Sequence, residues 1–313
     1  MTNRIVRFTK FGGPEVLSIN DEPLKSPGKG DVRIKVKAIG LNQAEVMLRE
    51  GRYVGKPDLP SRIGIEASGI VDEVGEGVSK YKQGDEVCAI PFLSWNNNDF
   101  WTNDSINKYG TYGDTAIVPE WTITRKIDHQ SFEEAAAIPV GWLTAWHALY
   151  TVAGMHRDQR VLVESVGGSV GSAALEIALH EGCWVLGTAS RDDKLKQAKE
   201  RGAHAVVNYM EKSISDVAKE TTQGKGIDIS LMTVGSATAD QLIDSMGMDG
   251  KVVMFGSTGG REISFNLAIG ILNLQLLSMS ISTSPAFFEK TMPDFRERAL
   301  PLFENGELSP VVD

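Results

Sequence analysis

A glycine-rich turn between a short apolar run and a helical pattern constrains this chain more than any other feature. The apolar run is 161–165, and the helical pattern begins near residue 168. In the G-x-G-x-x-G register, Gly168 and Gly171 hold the last two glycine positions, and Val166 replaces the first. Glycine lets the backbone approach a pyrophosphate, whose charge faces amides at the helix start. The pattern predicts a site for the phosphates of a dinucleotide, although a plain Gly-Gly turn would also explain the pattern. The residues of the predicted site are Gly167, Gly168, Ser169, Val170 and Gly171.

Strand and helix patterns alternate after about residue 125, whereas strand patterns dominate before it. Period-two alternation over 32–38 is typical of a half-buried strand, and further strands are predicted at 69–75 and 86–90. Later strands are predicted at 161–165, 184–188, 205–207, 228–231, 251–255 and 275–281, and helices at 168–180, 191–201, 212–220 and 236–245. The alternation predicts an α/β fold with a parallel sheet, behind a mostly-β domain of barrel or sandwich form.

Composition excludes several classes of protein. The 313 residues are 42% hydrophobic and carry a formal net charge of −9, which provides a core and disfavours a nucleic-acid surface. No stretch approaches the roughly 20 apolar residues of a membrane span, and the first residues lack a secretory pattern, so we expect a cytoplasmic protein with no membrane partner. Cys88 and Cys183 lie in or beside apolar runs, where buried free thiols are expected. The polar stretch 95–108 predicts a surface loop.

The residues after the second predicted strand of the parallel sheet bear on the choice of cofactor. In NAD-binding sheets a carboxylate at this point accepts hydrogen bonds from the ribose hydroxyls. Here Ala189 and Ser190 stand in its place, followed by Arg191 and Lys194. Because a 2′-phosphate meets donors rather than a carboxylate, the pattern favours NADPH over NADH. The alternative is that Arg191 and Lys194 belong to a solvated helix start.

Short motifs along nearly the whole chain resemble those of the medium-chain dehydrogenase/reductase superfamily, and within it the zinc-free quinone oxidoreductase-like branch. The matching segments are 12–17, 38–42, 51–53, 64–69, 74–78, 84–87, 134–139, 143–146, 202–203 and 208–209. The resemblance implies a GroES-like catalytic domain, residues 1–124 and 284–313, and a Rossmann NADP-binding domain, residues 125–283, with a doubly wound parallel sheet. It also implies an active site in the cleft between them.

The zinc ligands of the superfamily's metal-dependent members have no counterpart in this sequence. Those members carry a cysteine shortly after the first glycine of one motif and a histidine in a Gly-His-Glu. Here the two places read Asn42 and Ile65, which are poor metal ligands. Two cysteines cannot form the four-cysteine structural site, and the five histidines show no ligand spacing. We therefore expect no bound metal.

Without a Lewis acid, hydride transfer to a quinone or to an α,β-unsaturated carbonyl fits better than alcohol oxidation. The resemblance implies that Asn42, Glu45 and Tyr53 line the substrate site. Asn42 and Tyr53 can donate to a carbonyl, while Glu45 orients its neighbours. A packing role for Tyr53 and a structural carboxylate at Glu45 stay open. We expect Thr144 near the nicotinamide ring, Tyr209 by the adenosine phosphate, and Gly235 as a further cofactor position. Phe255, Gly256 and Ser257, at the end of a Rossmann strand, should border the cofactor cleft.

Three departures from the family pattern open alternatives. The acid that usually precedes Val-Gly in the fourth Rossmann turn is missing at Met232, and Ser169 replaces a glycine of the phosphate turn. The chain also ends before the family's final helix and strand, so the catalytic domain is expected to be truncated or closed differently. A weakly catalytic nucleotide-sensing protein is one alternative function, and an alcohol dehydrogenase another. The apolar segment 274–282 predicts a homodimer through the last strand.

Overall fold

The chain divides into two units near the point where strand patterns give way to strand–helix patterns. The structure, a computed structural model, describes residues 2–53, 56–90, 110–264, 267–282 and 284–312. One unit comprises Met1–Val140 with Pro310–Asp313, and the other comprises Gly141–Ser309. Each unit has its own core.

The first unit is built from antiparallel strands, as its alternating sequence predicts. Within its described residues, the strands are β1 (Thr2–Phe8), β2 (Leu17–Pro23), β3 (Asp31–Ile39), β4 (Ser61–Arg62), β5 (Ala67–Val74), β6 (Glu86–Ala89), β7 (Thr115–Pro119) and β8 (Ile123–Arg125). They form one sheet in the order β2-β1-β4 and another in the order β7-β3-β5-β6-β8. The inward side chains of the larger sheet, such as Val32, Ile34 and Val71, form an apolar core.

Among the described residues of this unit, two short α-helices accompany the strands. Helix α1 (Gln43–Arg49) follows β3, and helix α2 (Phe132–Ala136) follows β8. Ser131 caps α2, since its Oγ accepts from the amide of Glu134 at 3.1 Å. Helix α1 carries Glu45 in its first turn and buries that carboxylate, with consequences for the site described below.

The second unit contains the predicted parallel sheet. Its described strands are β9 (Arg160–Val163), β10 (Trp184–Ala189), β11 (Ala205–Asn208), β12 (Ile227–Met232), β13 (Met246–Met254) and β14 (Gln275–Ser278), in the order β11-β10-β9-β12-β13-β14. The crossover helices include α4 (Ser169–Glu181), α5 (Asp192–Glu200), α6 (Ile214–Thr221) and α7 (Ala239–Asp244), after α3 (Pro139–Trp146). The order reverses between β9 and β12, which makes their carboxyl ends the switch point where such sheets bind ligands.

The helical segment near the end of the chain belongs to a different unit from the one that the sequence analysis predicted. Phe295 and Phe303 are buried there, and their ring centroids lie 5.5 Å from Trp146 and 4.6 Å from Trp142, respectively. Residues 284–309 therefore pack in the unit that contains the parallel sheet, whereas the sequence assigned 284–313 to the catalytic domain. Residues 125–140, assigned to the Rossmann domain, belong to the first unit.

Three further expectations concern the cysteines, the polar loop and membrane-spanning helices. Cys88 and Cys183 are both buried free thiols, as predicted. The predicted surface loop 95–108 lies outside the described residues. Among the residues that the structure describes, every helix is too short or too polar to span a bilayer.

Candidate active site

The glycine-rich turn after β9 forms a backbone cradle at the N-terminus of α4. Gly168 is the N-cap, and its amide donates to the carbonyl of Ser165 at 2.8 Å. A Cβ on Gly171 would lie 2.2 Å from the same carbonyl, so only glycine allows this approach. Because Gly168 brings no side chain, the first amides of α4, at Ser169 and Val170, stay available at the positive end of the helix. The turn therefore fits a pyrophosphate.

Two side chains pack on glycines of this cradle. The stem of Lys194 lies over Gly167, where an added Cβ would come within 2.6 Å of the lysine Cβ. Ser169 occupies space that Gly141 leaves free, since a Cβ on Gly141 would lie 2.2 Å from the serine Oγ. The structure thus brings Lys194 to the phosphate turn and explains how a serine fits the position of a family glycine.

The end of β10 presents the residues that the sequence linked to cofactor choice. Ser190 and Arg191 are exposed there, and Tyr209 lies next to them because its amide donates to Ala189 at 3.2 Å. The guanidinium of Arg191 makes two hydrogen bonds to Asp193, of 3.0 and 2.6 Å. Its donors are therefore partly occupied by the first turn of α5.

The segments after β12 and β13 approach each other at the same edge of the sheet. Gly235 has a φ of 87°, and a Cβ there would lie 3.2 Å from Ser257 Cα. A Cβ on Gly256 would lie 2.3 Å from the carbonyl of Thr233, and the amide of Phe255 donates to Met232 at 3.2 Å. The structure brings these predicted cofactor residues together.

Thr144 is the one predicted cofactor residue that belongs to helix α3. Its side chain is buried on this helix, near Trp142 and Trp146 in sequence. The described contacts assign it no hydrogen bond with the turns after β9, β10, β12 or β13. Its proximity to a nicotinamide ring stays a prediction.

In the first unit, Asn42 and Glu45 are joined at the start of α1. The amide of Asn42 donates to Glu45 Oε2 at 2.8 Å, which caps the helix. The same oxygen accepts from the Tyr112 hydroxyl at 2.9 Å, and Oε1 accepts from the amide of Ile65 at 2.9 Å. Burial raises the pKa of Glu45 to about 7, while these hydrogen bonds oppose the shift. Glu45 thus orients its neighbours.

Glu66 is a second buried carboxylate that sequence reasoning missed. Its Oε1 accepts from Asn42 Nδ2 at 2.7 Å, and its Oε2 accepts from the amide of Val140 at 2.8 Å. Burial raises the pKa of Glu66 to about 8, and the charge of Glu45 adds to the shift. Its signal in the sequence is the Gly64–Glu66 motif, in which a glutamate directly follows the position of the missing histidine.

The Asn42 amide therefore has a fixed orientation. One N–H of Nδ2 is held by Glu66, and the Asn42 side chain also hydrogen-bonds with Glu45, so two acidic side chains hold its amide in place. Asn42 itself is half-buried. Tyr53 follows α1, is half-buried, and has a phenol pKa raised by burial. Its amide donates to Met47 at 3.1 Å, which fixes its backbone against the helix.

The described residues contain no group of three or more His, Cys, Asp or Glu side chains that could hold a metal ion. At one of the two places where zinc-dependent members have ligands, Ile65 is buried and uses its amide to bind Glu45. At the other, Asn42 binds Glu66. The polar side chains at these places are the Asn42 amide, the carboxyl groups of Glu45 and Glu66, and the Tyr112 phenol. They hydrogen-bond to one another.

Comparisons with known proteins cover both units. The family model "Alcohol dehydrogenase GroES-like domain" matches residues 28–128, and "Zinc-binding dehydrogenase" matches residues 169–305. The quinone oxidoreductase of Homo sapiens is 31% identical over 313 residues, which cover 99% of this chain and 88% of that protein.

Two solved structures extend this similarity. Escherichia coli quinone oxidoreductase complexed with NADPH has a TM-score of 0.83 at 28% identity, over 99% of this chain and 90% of that one. An NAD-dependent alcohol dehydrogenase has a TM-score of 0.86 at 33% identity, over 98% and 91%. The GroES-like and Rossmann folds expected from the sequence are thereby confirmed. The chain belongs to the quinone oxidoreductase-like group of the medium-chain dehydrogenase/reductase superfamily and is an oxidoreductase of that family.

Proposed function

We propose that this protein reduces quinones or α,β-unsaturated carbonyl compounds with NADPH and without zinc. NADPH supplies the hydride, and a proton from water or a neighbouring donor completes the reduction. The proposal has three parts: the cofactor, the substrate and the independence from metal. Each is supported by different residues.

The cradle after β9 supports a dinucleotide cofactor. Gly168 and Gly171 allow backbone contact with a pyrophosphate, and the N-terminus of α4 stabilises its charge. The solved relative from Escherichia coli is described as complexed with NADPH. Gly235, Phe255, Gly256 and Ser257 lie at the same edge of the sheet as the cradle, where they are proposed to border the rest of the cofactor.

NADPH is preferred over NADH in this proposal because of the residues after β10. Ser190 and Arg191 are exposed where NAD-binding sheets present a carboxylate, and Lys194 packs against the phosphate turn. Charge-assisted donors to a 2′-phosphate favour NADPH. The pairing of Arg191 with Asp193 reduces this preference, since the phosphate must compete with that carboxylate.

The amide of Asn42 carries the substrate part of the proposal. Hydride addition to a quinone or enone places negative charge on the carbonyl oxygen, which positioned hydrogen-bond donors stabilise. Glu66 and Glu45 hold the Asn42 amide in place. A substrate carbonyl oxygen would compete with Glu45 for the second N–H of this amide. Tyr53 is proposed as a second donor, and Glu45 fixes the start of the helix that carries Asn42.

The side chains at the two places where zinc-dependent members have ligands support a reaction that needs no metal. In the zinc-dependent members of the superfamily, the metal is the Lewis acid that forms the alkoxide during alcohol oxidation. Ile65 offers no lone pair, and Asn42 is engaged with Glu66. Reduction of a conjugated carbonyl requires only charge stabilisation at one oxygen, which the amide supplies.

A second candidate is NAD-linked alcohol oxidation, because one similar solved structure is an NAD-dependent alcohol dehydrogenase. The deciding experiment measures nucleotide consumption with quinones, enones and aldehydes, and nucleotide reduction with alcohols, each with and without a chelator. We expect NADPH oxidation with quinones or enones at a rate that the chelator leaves unchanged. Chelator-sensitive alcohol oxidation with NAD would favour the second candidate, and nucleotide binding without turnover would indicate a sensing protein.

A further inference from the structure

A buried carboxylate joins the carboxyl ends of β9 and β12. Glu164 directly follows β9 and is fully buried. Its Oε2 accepts from the backbone amides of Thr233 and Val234, each at 2.6 Å, and its Oε1 accepts from the hydroxyl of Thr238. All of these donors belong to the segment after β12, residues 233–238.

The position of this carboxylate in the sheet gives the contact its significance. Strands β9 and β12 pair with Val163 opposite Leu231, so the next residues, Glu164 and Met232, are aligned. The strand order reverses between these two strands. Glu164 therefore spans the switch point, at the edge where sheets of this type bind their ligands.

The Glu164 carboxylate also lies next to the phosphate turn. Ser165, the following residue, has a φ of 53°, and its carbonyl closes the turn by accepting from Gly168. Its Oγ accepts from the Thr233 hydroxyl at 3.2 Å. The two segments are thus joined by the Glu164 carboxylate and by a contact between hydroxyls.

A third segment depends on the same contact. The carbonyl of Thr233 would lie 2.3 Å from a Cβ on Gly256, so the backbone after β12 packs directly against the backbone after β13. Because Glu164 holds the amide of Thr233, it also determines where this packing occurs. The segments 165–171, 233–238 and 255–257 are therefore arranged around one carboxylate.

The donors around Glu164 match the chemistry of a carboxylate. The amides of Thr233 and Val234 and the hydroxyl of Thr238 all point at its two oxygens. A carboxylate accepts all three, whereas an apolar residue at this position would leave the buried amide of Val234 and the half-buried amide of Thr233 without this acceptor. In the family pattern an acid is expected at Met232, and the aligned residue Glu164 supplies one from the neighbouring strand.

We infer that Glu164 is a positioning residue for the dinucleotide: it holds the segment after β12 against the phosphate turn and thereby sets cofactor affinity. This inference rests on the proposed function, since it concerns the binding site of a nucleotide. It assigns Glu164 no contact with substrate and no part in the hydride transfer.

The test is the dissociation constant of NADPH, measured by titration of nucleotide fluorescence in the wild type and in variants. Glu164→Ala should weaken NADPH binding by about tenfold or more, because two amides lose their acceptor. Glu164→Gln should stay within about threefold of the wild type, since its oxygen keeps both amides and its nitrogen can donate to Thr238. At saturating NADPH, kcat should change less than the KM for NADPH.

A matched control separates positioning from general stability. Thr222→Val removes a buried hydroxyl that accepts from Gly226 at 3.0 Å, before the start of β12 and so at the opposite edge of the sheet. This variant should lower Tm while leaving the NADPH dissociation constant unchanged. If Glu164→Ala behaves in the same way, Glu164 is only a stabilising residue and the inference is overturned.

A second pair of variants covers the case in which Glu164→Ala does not fold. Thr238→Val removes one donor and should weaken NADPH binding about threefold to tenfold, whereas Thr238→Ser should stay within about twofold. Equal affinities for these two variants and the wild type would overturn the inference. Failure of the wild type to bind either nucleotide would overturn the proposed function as well, so the two failures are distinguishable.

Discussion

The stem of Lys194 lies directly on Gly167, where an added Cβ would come within 2.6 Å of the lysine Cβ. A residue at the start of helix α5 is thereby in contact with the turn before helix α4. The absence of a side chain at Gly167 is what allows this contact, so a basic residue can reach the phosphate turn without a long loop.

Gly167→Ala should therefore weaken NADPH binding, by about threefold to tenfold, because the lysine stem must move away from the turn. Fluorescence titration of the nucleotide measures the effect. Gly270→Ala is the matched control, since among the described residues no atom lies within 4 Å of a Cβ at that position. An equal dissociation constant for both variants would contradict the role of the contact.

Arg191→Asp should erase or reverse the preference for NADPH over NADH. A charge-assisted hydrogen bond contributes about 1.5–3 kcal/mol, so the wild type is expected to prefer NADPH by about tenfold or more. Lys225→Asp makes the same change of charge on the loop before β12 and should leave the preference intact. Equal dissociation constants for the two nucleotides in the wild type would refute the assignment.

Tyr53→Phe should lower kcat with an enone substrate and leave NADPH affinity nearly unchanged. Loss of one donor to the developing oxyanion raises the barrier by about 1–3 kcal/mol, because water can partly replace the phenol. Tyr150→Phe is the control, since it removes a hydroxyl that donates to Glu181 instead. With an unchanged kcat, Tyr53 would be a packing residue and Asn42 the remaining donor.

Glu66→Gln should reduce the dependence of stability on pH. Burial raises the pKa of Glu66 from 4.5 to about 8. Between these values the folded protein keeps a proton that the unfolded chain has lost, so the free energy of unfolding falls as pH rises, by at most about 1.4 kcal/mol per pH unit. Glu45, with a pKa raised to about 7, acts in the same direction over a narrower range.

The variant at Glu66 cannot take up that proton, so its stability should fall less steeply between about pH 5 and about pH 8. Urea unfolding at several pH values measures the slope. The same substitution at Glu200, an exposed carboxylate on α5, is the control. Equal flattening in both variants would show that Glu66 is not the group responsible.

The protein should form a dimer through β14. Within the described residues this strand lies at one end of the parallel sheet, and Leu276 and Leu277 are only half-buried. Lysines at the exposed positions Gln275 and Ser278 should convert the dimer to a monomer, since edge charges prevent strand pairing. Light scattering at micromolar concentration gives the mass; a monomeric wild type would contradict the prediction.

Much of the fold could be predicted because it depends on local patterns. Strand–helix alternation after residue 125 predicted the six strands of the parallel sheet. Strand β10, predicted at 184–188, spans Trp184–Ala189, whereas β13, predicted at 251–255, begins five residues earlier and spans Met246–Met254. The helical segment near the end was different. Its buried Phe295 and Phe303 show a helix with an apolar face, but a periodic pattern does not say which core the face will join.

The candidate site was predicted in part, for a similar reason. The cradle residues and Asn42 belong to short motifs that can be recognised along the chain. Glu164 lies inside the most informative stretch, yet its meaning depends on Thr233 and Thr238, which are about seventy residues away. The sequence shows that the family's acid is missing at Met232, but which strand lies beside β12 is determined by the sheet and not by sequence distance.

The pairing of Ser169 with Gly141 makes the order of mutations matter. A Cβ on Gly141 would lie 2.2 Å from the serine Oγ, so Gly141→Ala alone produces a clash beside the phosphate turn. Once Ser169→Gly has been made, the contact with the hydroxyl is gone, and the alanine meets only the backbone carbonyl of residue 169, at 3.1 Å from its oxygen and 3.2 Å from its carbon. In a laboratory evolution experiment, the path to the double mutant through position 169 should therefore cost less stability than the path through position 141.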